Sequence, residues 1–329
     1  MVVKKIIMFP KIQPDTTIAL FLLREFGEEQ FPGVPAAEVD FWTKIPEGTS
    51  PASWEQEGIL LLDMGGGKFD HHNKRSDGQK TSLSEVVATE LGVRKNETLT
   101  KLLAYAHRDD VEGKGTISTD SLDRAFGLSG LLMSLNRDYP DKPQKVLDTI
   151  LPLIISHYHE EHRRHHELPA EYCAKRAAGQ ARDMQIKQNH KTLKVILIET
   201  DNVAMAGYLR ADGDILADVV VQRLKSGHVN IITRQWRKVD LRHLITVLRV
   251  DEMRRQGLDL KKIDWSAITC PGFYPGAPQW YYDTAANTIQ NGGVNPQGIA
   301  STIIPWLAFA ELVEIGLNPD RFKEVVGIK

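Results

Sequence analysis

The chain has 329 residues, of which 42% are hydrophobic and 26% charged, and its formal net charge is −2 at pH 7. This length predicts two domains with separate cores, and the composition excludes an intrinsically disordered chain. The near-neutral charge excludes a protein that coats long duplex nucleic acid, because that mode of binding needs a large excess of Lys and Arg.

The N-terminal segment and the cysteine content predict a cytoplasmic protein without a membrane partner. The apolar run after Lys4 and Lys5 is too short for the core of a signal peptide. No stretch approaches the roughly 18 to 20 uninterrupted apolar residues of a transmembrane helix. Cys173 and Cys270 are far apart and lack a metal-binding spacing, so we expect neither a disulfide framework nor a zinc knuckle.

In the first half of the sequence, short apolar runs alternate with helical periodicity, which is typical of α/β proteins. The predicted elements are strands at 4–8 and 58–62 and helices at 16–26 and 82–91. Asp15 stands at the N-cap position of the first helix, and Asp63 ends the second strand just before Gly65. Ligand sites of open parallel sheets lie outside the carboxyl ends of the strands, so both aspartates are candidate site residues.

A long polar helix is predicted over 143–182, with Pro152 and Pro169 as breaks or starts, and a second α/β pattern follows it. That pattern comprises strands at 193–199 and 227–233, a strand or short helix at 217–224, and an amphipathic helix at 239–257. Residues 265–293 are rich in Gly, Pro and aromatic residues, which favours an ordered loop.

The predicted fold class is therefore α/β, with three parts. Residues 1–140 form a parallel-sheet domain, residues 141–190 a helical connector, and residues 191–329 a smaller C-terminal α/β domain, with a cleft between the two domains.

The segment FDHH at 69–72 is the main candidate for chemistry. Asp70, His71 and His72 at a strand end can offer one imidazole to a metal ion while the next one meets a phosphate oxygen. Without further residues beside them, two adjacent histidines would more often be structural, with one in the core and one on the surface. Here Asp63 precedes them and the pair Asp109–Asp110 follows a helical segment, which adds the carboxylates that metal-dependent phosphoesterases use to bind divalent ions.

The order of these motifs resembles that of the DHH superfamily of phosphoesterases. PDTT at 14–17 comes first, then a strand ending in Asp63, then DHH at 70–72, then the later aspartates. The superfamily includes exonucleases, oligoribonucleases, cyclic-dinucleotide phosphodiesterases and type II inorganic pyrophosphatases. IQPDTTIALFLLREF and DMGGGKFDHH are most similar to its MYG exonuclease-like branch. The resemblance implies a DHH-type catalytic domain in the N-terminal part, followed by a small substrate-binding domain.

The resemblance also implies roles for individual residues. The implied ligands of Mn²⁺ or Mg²⁺ are Asp15, Asp63, His71 and one of Asp109 or Asp110, with a slight preference for Asp109. Asp63 would bridge two ions and His72 would face the scissile phosphate, with His72 and Asp70 as the catalytic residues.

Two positions depart from the family pattern. Lys11 (or Gln13) and Thr17 stand where the pattern has a histidine and a second aspartate, so each ion loses one ligand. The chain is then a one-metal enzyme, a protein that recruits a ligand from elsewhere, or a nucleotide binder without hydrolysis. Lys11 is a candidate substrate-binding residue, and Asp15 has the alternative role of a plain helix N-cap.

The second half resembles the small domain that follows the catalytic domain in many DHH proteins. Arg234 at a strand end, with Gly292 and Gly293 ahead of a helix expected near Gly298, would hold the far end of the substrate. The histidine that follows these glycines in the family is replaced by Val294 or Asn295. The alternative is that the glycine pair forms only a turn.

Three further features each allow two interpretations. Residues 223–255 contain nine Lys or Arg against three Asp or Glu, which predicts a basic ligand-facing surface. Aromatic side chains either stack on bases or fill the second core: Trp236, Trp280, Tyr281 and Tyr282. Histidines at helical spacing either bind a metal or lie on a solvated face rich in ion pairs: His159, His162 and His166.

These observations predict a divalent-metal-dependent phosphoesterase that hydrolyses a nucleotide or a short single-stranded oligonucleotide. The alternatives are a nucleotide-binding regulatory protein that has lost turnover and a hydrolase of pyrophosphate or another small phosphate. Whether the chain forms a homodimer stays open.

Overall fold

The structure is a computed structural model that describes residues 2–72, 80–293 and 297–326. The chain divides into two compact units, Met1–His165 and His166–Lys329. Both units contain strands and helices, which confirms the α/β fold class. No helix of the described part has the length and apolar character needed to cross a membrane.

The first unit contains a parallel sheet of three described strands with the order β2-β1-β3. They are β1 (Lys5–Met8), β2 (Glu38–Phe41) and β3 (Ile59–Leu61). Strand β1 is central, with Lys5 opposite both Glu38 and Ile59. Ile6 and Ile7 point to opposite faces and both are fully buried, which explains why this strand has a continuous apolar sequence.

Helices pack around this sheet. In chain order they are α1 (Pro14–Phe26), α2 (Pro51–Gln56), α3 (Leu83–Glu90), α4 (Thr100–Asp110), α5 (Ser121–Phe126), α6 (Leu128–Asp138) and α7 (Pro143–His162). Helix α1 is buried along most of its length and contacts α3, α4 and α7. Tyr158 of α7 packs against Phe21 and Phe26 of α1, at ring-centroid distances of 5.1 and 5.8 Å. Helix α7 therefore belongs to the core of the first unit.

The long helix predicted over 143–182 is shorter and interrupted. After α7, Arg163–Glu167 adopt π-helical geometry, and α8 (Leu168–Ala177) follows. Pro152 lies inside α7 and Pro169 lies in the first turn of α8, so only Pro169 marks a start. The prediction was wrong at its end, because residues from Ala181 onward form a strand.

The second unit contains a mixed sheet of seven described strands with the order β4-β5-β6-β7-β10-β9-β8. They are β4 (Ala181–Gln188), β5 (Lys191–Glu199), β6 (Val219–Arg223), β7 (Val229–Thr233), β8 (Gly272–Tyr274), β9 (Ala277–Asp283) and β10 (Thr288–Gln290). β5 and β6 are parallel, and the other neighbouring strands are antiparallel. The segment 217–224 is therefore a strand. The loop predicted over 265–293 was wrong, since it contains β8, β9 and β10.

The helices of the second unit cover this sheet and complete its cores. Besides α8 they are α9 (Met205–Ala211), α10 (Arg242–Arg255), α11 (Trp306–Leu317) and α12 (Pro319–Val326). The amphipathic helix predicted over 239–257 is confirmed as α10. Trp280 is fully buried and Tyr282 is 6% exposed, so these two aromatic residues belong to the core. Among the described residues 297–305, which include Gly298, no helix begins, and the next one starts at Trp306.

Candidate metal centre

The metal centre candidate begins where strand β3 ends. Leu62 forms a parallel bridge with Phe69, and the Asp63 N–H donates to the Phe69 carbonyl at 2.8 Å. Asp63 has a φ of 59°, a left-handed conformation that aspartate tolerates better than most residues. The intervening loop turns through Gly65, where a Cβ atom would meet the Ile45 side chain at 1.9 Å. This tight loop returns the FDHH segment to the end of β3.

His71 lies at the centre of the arrangement. Its Nδ1 is 2.9 Å from Asp63 Oδ1, and its Nε2 is 3.3 Å from Asp110 Oδ2, at the end of α4. Asp15, His71 and Asp110 have ligand atoms within 4.8 Å of one another, as do Asp63, His71 and His72. The structure thus brings together Asp63, both histidines and the two aspartates of α1 and α4, which come from three separate stretches of sequence.

The contact between His71 and Asp63 lacks hydrogen-bond geometry despite its length. His71 Nδ1 and Asp63 Oδ1 are both buried, and neither has a hydrogen-bond partner among the described residues. A buried polar atom without a partner is destabilising by about 1–3 kcal/mol, and such atoms are rare in native proteins. A bound cation would satisfy an imidazole lone pair and a carboxylate oxygen at once, so these residues fit a metal ion.

His71 belongs to both groups but supplies only one lone pair. A neutral imidazole carries a proton on one nitrogen and accepts on the other. The geometry therefore favours one ion bound through His71, while the other ring N–H faces a carboxylate. That carboxylate orients the ring, as is usual for metal-bound histidines.

Electrostatics within the cluster also fit a cation. The Asp63 carboxylate raises the pKa of His71 above its usual value, and Asp110 and Asp15 add to the effect while burial opposes it. Burial raises the pKa values of Asp15 and Asp110, and Asp110 raises that of Asp15 further by charge repulsion. A divalent ion would offset this repulsion and hold the carboxylates ionised.

Asp15 has a structural contact that was not expected from the sequence. The N-cap of α1 is Gln13, so Asp15 does not cap its own helix. Its carboxylate instead accepts hydrogen bonds from the backbone N–H groups of Leu83 and Ser84, at 2.7 and 2.8 Å, and from the Ser84 hydroxyl. These are donors of the first turn of α3, which have no partner within the helix. The prediction that Asp15 is the N-cap of α1 was therefore wrong, because its carboxylate binds the N-terminus of α3 instead.

Asp70 fixes the position of His72. Its Oδ2 accepts from the Gly66 N–H at 2.7 Å, and its Oδ1 accepts from the His72 N–H at 2.9 Å. His72 Nδ1 lies 3.0 Å from the same Oδ1, and the His72 side chain is 58% exposed. Burial tends to raise the pKa of Asp70, but the backbone donors Gly66 and His72 lower it overall. Asp70 is thus a positioning residue that presents an exposed imidazole.

The two aspartates at the end of α4 have different environments. Asp110 belongs to the His71 cluster, whereas Asp109 Oδ1 accepts from the Ser129 hydroxyl at 2.5 Å. The Ser129 hydroxyl also lies 2.6 Å from the Tyr105 hydroxyl. Of the two alternatives, Asp110 is the one that the structure places beside the other candidate ligands.

A pocket of about 570 Å³ opens beside Asp110, and we call it the Lys11 pocket. Lys11 and Arg137 line it with Asp109 and Met133, and neither cation has a carboxylate partner among the described residues. Thr17 is fully buried and donates to the Gln13 carbonyl at 2.8 Å. Lys11 is therefore available to a ligand, while Thr17 serves its own helix.

The remaining predicted site residues lie in the second unit. Arg234 Nη2 donates to Asp218 Oδ1 at 2.5 Å, and the Arg234 side chain is 14% exposed. Gly292 and Gly293 adopt φ values of 79° and 65°, in a turn whose Gly293 carbonyl accepts from Asn230. Val294 and Asn295 lie outside the described residues.

Most cations of the segment 223–255 are already engaged by protein groups. Arg249 is fully buried and donates to the backbone carbonyls of Ile268, Cys270, Gly272 and Trp280. Arg242 pairs with Asp240, while Arg254 and Arg255 pair with Asp251. The basic residues of this segment therefore serve mainly structural roles, and few of them are available to contact a ligand.

The histidine stripe at 159–166 does not join a metal site within the described chain. The groups that could hold an ion leave out His159, His162 and His166. Arg163 and Arg164 both pair with Glu160, which is the ion-paired helix face of the alternative interpretation. The π-helical turn at Arg163–Glu167 also shifts the register on which the stripe was counted.

Two residues of the candidate site were not found from the sequence. Arg137 lies on α6, where no motif surrounds it, and it reaches the Lys11 pocket only through the packing of that helix. Ser84 lies two residues after Ser82, which is the N-cap of α3 and forms a capping box with Glu85. The capping box indicates where the helix starts, but it does not indicate that Ser84 contacts Asp15.

No family model and no curated protein matches the chain. A solved structure of an uncharacterised protein from Helicobacter pylori G27 covers 97% of this chain and 100% of its own, at 9% identity and a TM-score of 0.24. A TM-score of this size does not show a common fold.

Proposed function

We propose that this protein is a divalent-metal-dependent phosphoesterase that hydrolyses a nucleotide or a short oligonucleotide phosphodiester. The observation that carries the proposal is the contact between the buried atoms His71 Nδ1 and Asp63 Oδ1, which lie 2.9 Å apart without forming a hydrogen bond, beside the carboxylates of Asp15 and Asp110. Oxygen ligands with one imidazole suit Mn²⁺ or Mg²⁺. Bound Mn²⁺ or Mg²⁺ supplies a water nucleophile of lowered pKa and stabilises phosphoryl charge.

The surrounding residues have complementary roles in this proposal. His72 presents an exposed imidazole that donates a hydrogen bond or a proton to a phosphoryl oxygen, and Asp70 holds its ring in place. Lys11 and Arg137, without carboxylate partners, attract the anionic substrate into the Lys11 pocket beside Asp110. Neither group needs a second metal ion for its role.

The pocket volume supports a small substrate. A volume of about 570 Å³ lies within the range of small-molecule sites, about 300–1,000 Å³. A nucleotide or the end of a short strand fits such a volume. Pyrophosphate would also enter, and it remains the second candidate because Lys11 and Arg137 provide a charge that suits any phosphate.

The proposal is tested by measuring Mn²⁺ binding and hydrolysis in the same preparations. Calorimetric titration with Mn²⁺ is followed by a turnover screen over short RNA, short DNA, cyclic dinucleotides, nucleotides and pyrophosphate. We expect His71→Ala to abolish turnover and Asp63→Asn to weaken Mn²⁺ binding by about tenfold or more, because each removes a ligand atom. His159→Ala, an exposed histidine outside the cluster, is the matched control and should behave as the parent.

Three outcomes would contradict parts of the proposal. Mn²⁺ affinity that is the same in the parent, His71→Ala and Asp63→Asn would remove the cluster as a metal site. Mn²⁺ binding without turnover of any phosphate ester, together with nucleotide binding, would favour the regulatory binder. Turnover confined to pyrophosphate would replace the nucleotide substrate with a small phosphate.

A further inference from the structure

Trp236 is an exposed aromatic side chain that is braced by two arginines. It lies in the single turn of 3-10 helix Gln235–Arg237, and 69% of its surface is exposed. The guanidinium carbon atoms of Arg234 and Arg237 lie 4.6 and 5.6 Å from the centroid of its ring. The part of the indole ring that the arginines do not cover is exposed to solvent.

The two arginines are themselves held by a buried acid. Asp218 is 3% exposed, and its carboxylate accepts from Arg234 Nη2 at 2.5 Å and from Arg237 Nε at 2.9 Å. The backbone N–H of Lys194 donates to the same carboxylate at 3.0 Å. Because both guanidinium groups are fixed by this network, the indole ring is supported by a rigid surface. A ring that is ordered in advance loses little conformational entropy when a ligand stacks on it.

The charge around Trp236 is positive despite Asp218. One carboxylate faces two guanidinium groups, and Lys191 Nζ donates to the Arg237 carbonyl at 3.0 Å. Lys238, which follows the 3-10 turn with a φ of 47°, is exposed and has no carboxylate partner among the described residues. A ligand on Trp236 would thus meet an aromatic face and an excess of cationic groups together.

We infer that Trp236 and its supporting cations form a binding site for a nucleobase of a single-stranded nucleic acid. Stacking of a base on the indole ring, with a neighbouring phosphate near Lys238 and Lys191, uses both features of the surface. A simple polyanion would need only the cations, and an apolar peptide would need only the ring. The site does not depend on the proposed phosphoesterase activity, since it uses no residue of the metal cluster.

The chain offers a matched control for this site. Trp265 is 53% exposed, so it resembles Trp236 in size and exposure. No arginine is placed over the Trp265 ring among the described contacts, and it borders a pocket with the apolar residues Leu260 and Leu312. An effect that is specific to the braced ring should appear in Trp236→Ala and be missing in Trp265→Ala.

The experiment measures the binding of a labelled single-stranded oligonucleotide by fluorescence anisotropy, in EDTA so that metal-dependent hydrolysis cannot consume the probe. An abasic strand of the same length and charge is measured in parallel. We expect Trp236→Ala to weaken binding of the base-bearing strand by about tenfold, Trp236→Phe to weaken it less, and Trp265→Ala to leave it unchanged. The parent should bind the abasic strand about as weakly as Trp236→Ala binds the normal strand.

Two results would overturn the inference. Equal affinity of the parent for the abasic and the base-bearing strands would show that only phosphate charge is recognised. Unchanged oligonucleotide binding by Trp236→Ala, together with loss of self-association in the same variant, would assign the exposed ring to a protein contact. Because the measurements exclude metal, either result would leave the phosphoesterase proposal untouched, and failed Mn²⁺ binding would leave this site untouched.

Discussion

At the residue scale, Asp70 shows how one side chain organises the loop that presents both histidines. Its two carboxylate oxygens accept from the N–H groups of Gly66 and His72, so they close the loop on both sides. The residue is 4% exposed, and its oxygens are shielded from competing water. Hydrogen bonds to a charged acceptor are stronger than those to a neutral one, which makes the ionised form of Asp70 important for the loop.

We predict that Asp70→Asn changes the acid sensitivity of the protein. The backbone donors hold the pKa of Asp70 below its usual value, although burial opposes them. A folded-state pKa below the unfolded value of about 3.9 contributes stability that is present above that value and is lost as the pH falls through the folded-state pKa. Thermal unfolding of metal-free protein from neutral pH to about pH 3 should show a lower Tm for Asp70→Asn at neutral pH and a shallower decline in acid.

The outcome for Asp70→Asn separates two roles of the residue. An acid-induced decline as steep as that of the parent would show that Asp70 contributes nothing through its charge. Far-UV circular dichroism of the variant serves as the control, because an Asn side chain retains one of the acceptor oxygens and the fold should persist.

The residue scale also shows the limit of reading a site from sequence. The FDHH segment was found because its residues are adjacent, and Asp63 was found because it ends an apolar strand. The sequence could not decide between Asp109 and Asp110. Successive residues of a helix point about 100° apart, and only the packing of α4 determines which of the two faces His71. The slight preference for Asp109 had no geometric basis, and the structure places Asp110 in the cluster.

At the element scale, Asp15 connects the start of α1 to the start of α3. Its carboxylate accepts from the backbone N–H groups of Leu83 and Ser84, and its own carbonyl oxygen lies 2.8 Å from the Ser84 hydroxyl oxygen. Negative charge at a helix N-terminus is favourable, and the first-turn N–H groups need acceptors. The same carboxylate lies with His71 and Asp110, so the helix start and the candidate metal ligands are fixed together.

We predict that Asp15→Asn lowers both stability and Mn²⁺ affinity, whereas Ser84→Ala lowers stability alone. An Asn side chain offers one oxygen, and its amide group would face a backbone donor of α3, so one buried N–H loses its acceptor at a cost of about 1–3 kcal/mol. Ser84→Ala keeps the carboxylate of Asp15 available to an ion. Thermal unfolding and Mn²⁺ calorimetry of both variants provide the test. Parent-like Mn²⁺ affinity in Asp15→Asn would leave Asp15 with the helix-capping role only.

Sequence patterns predicted the elements that are apolar and failed for those that are not. Strands β1, β3, β5 and β7 were found because their buried residues form continuous apolar runs. β4 has the polar sequence ARDMQIKQ and is largely exposed, so its strand geometry depends on eight residue pairs with β5. β8 to β10 were missed because Gly and Pro flank β8 and a glycine pair follows β10, although Trp280 and Ile289 are fully buried.

At the scale of the whole molecule, each unit has hydrophobic cores of its own. One cluster of buried residues, from Val3 to Tyr158, belongs to Met1–His165. Two further clusters, which span residues 168–317, belong to His166–Lys329. The division falls in the π-helical turn Arg163–Glu167, after α7 has packed into the first core. No cluster contains residues of both units within the described chain, so each unit has the buried apolar surface that independent folding requires.

We predict that the two units fold as separate fragments and divide the two proposed sites between them. Fragment 1–165 contains all the cluster residues, so it should bind Mn²⁺ with the affinity of the full chain and lose that binding on His71→Ala. Fragment 166–329 contains Trp236 and its supporting cations, so it should bind single-stranded oligonucleotide in EDTA and ignore Mn²⁺. Circular dichroism and cooperative thermal unfolding establish folding of each fragment before binding is measured. Folded fragments that recover either activity only when mixed would show that the site in question needs residues of both units.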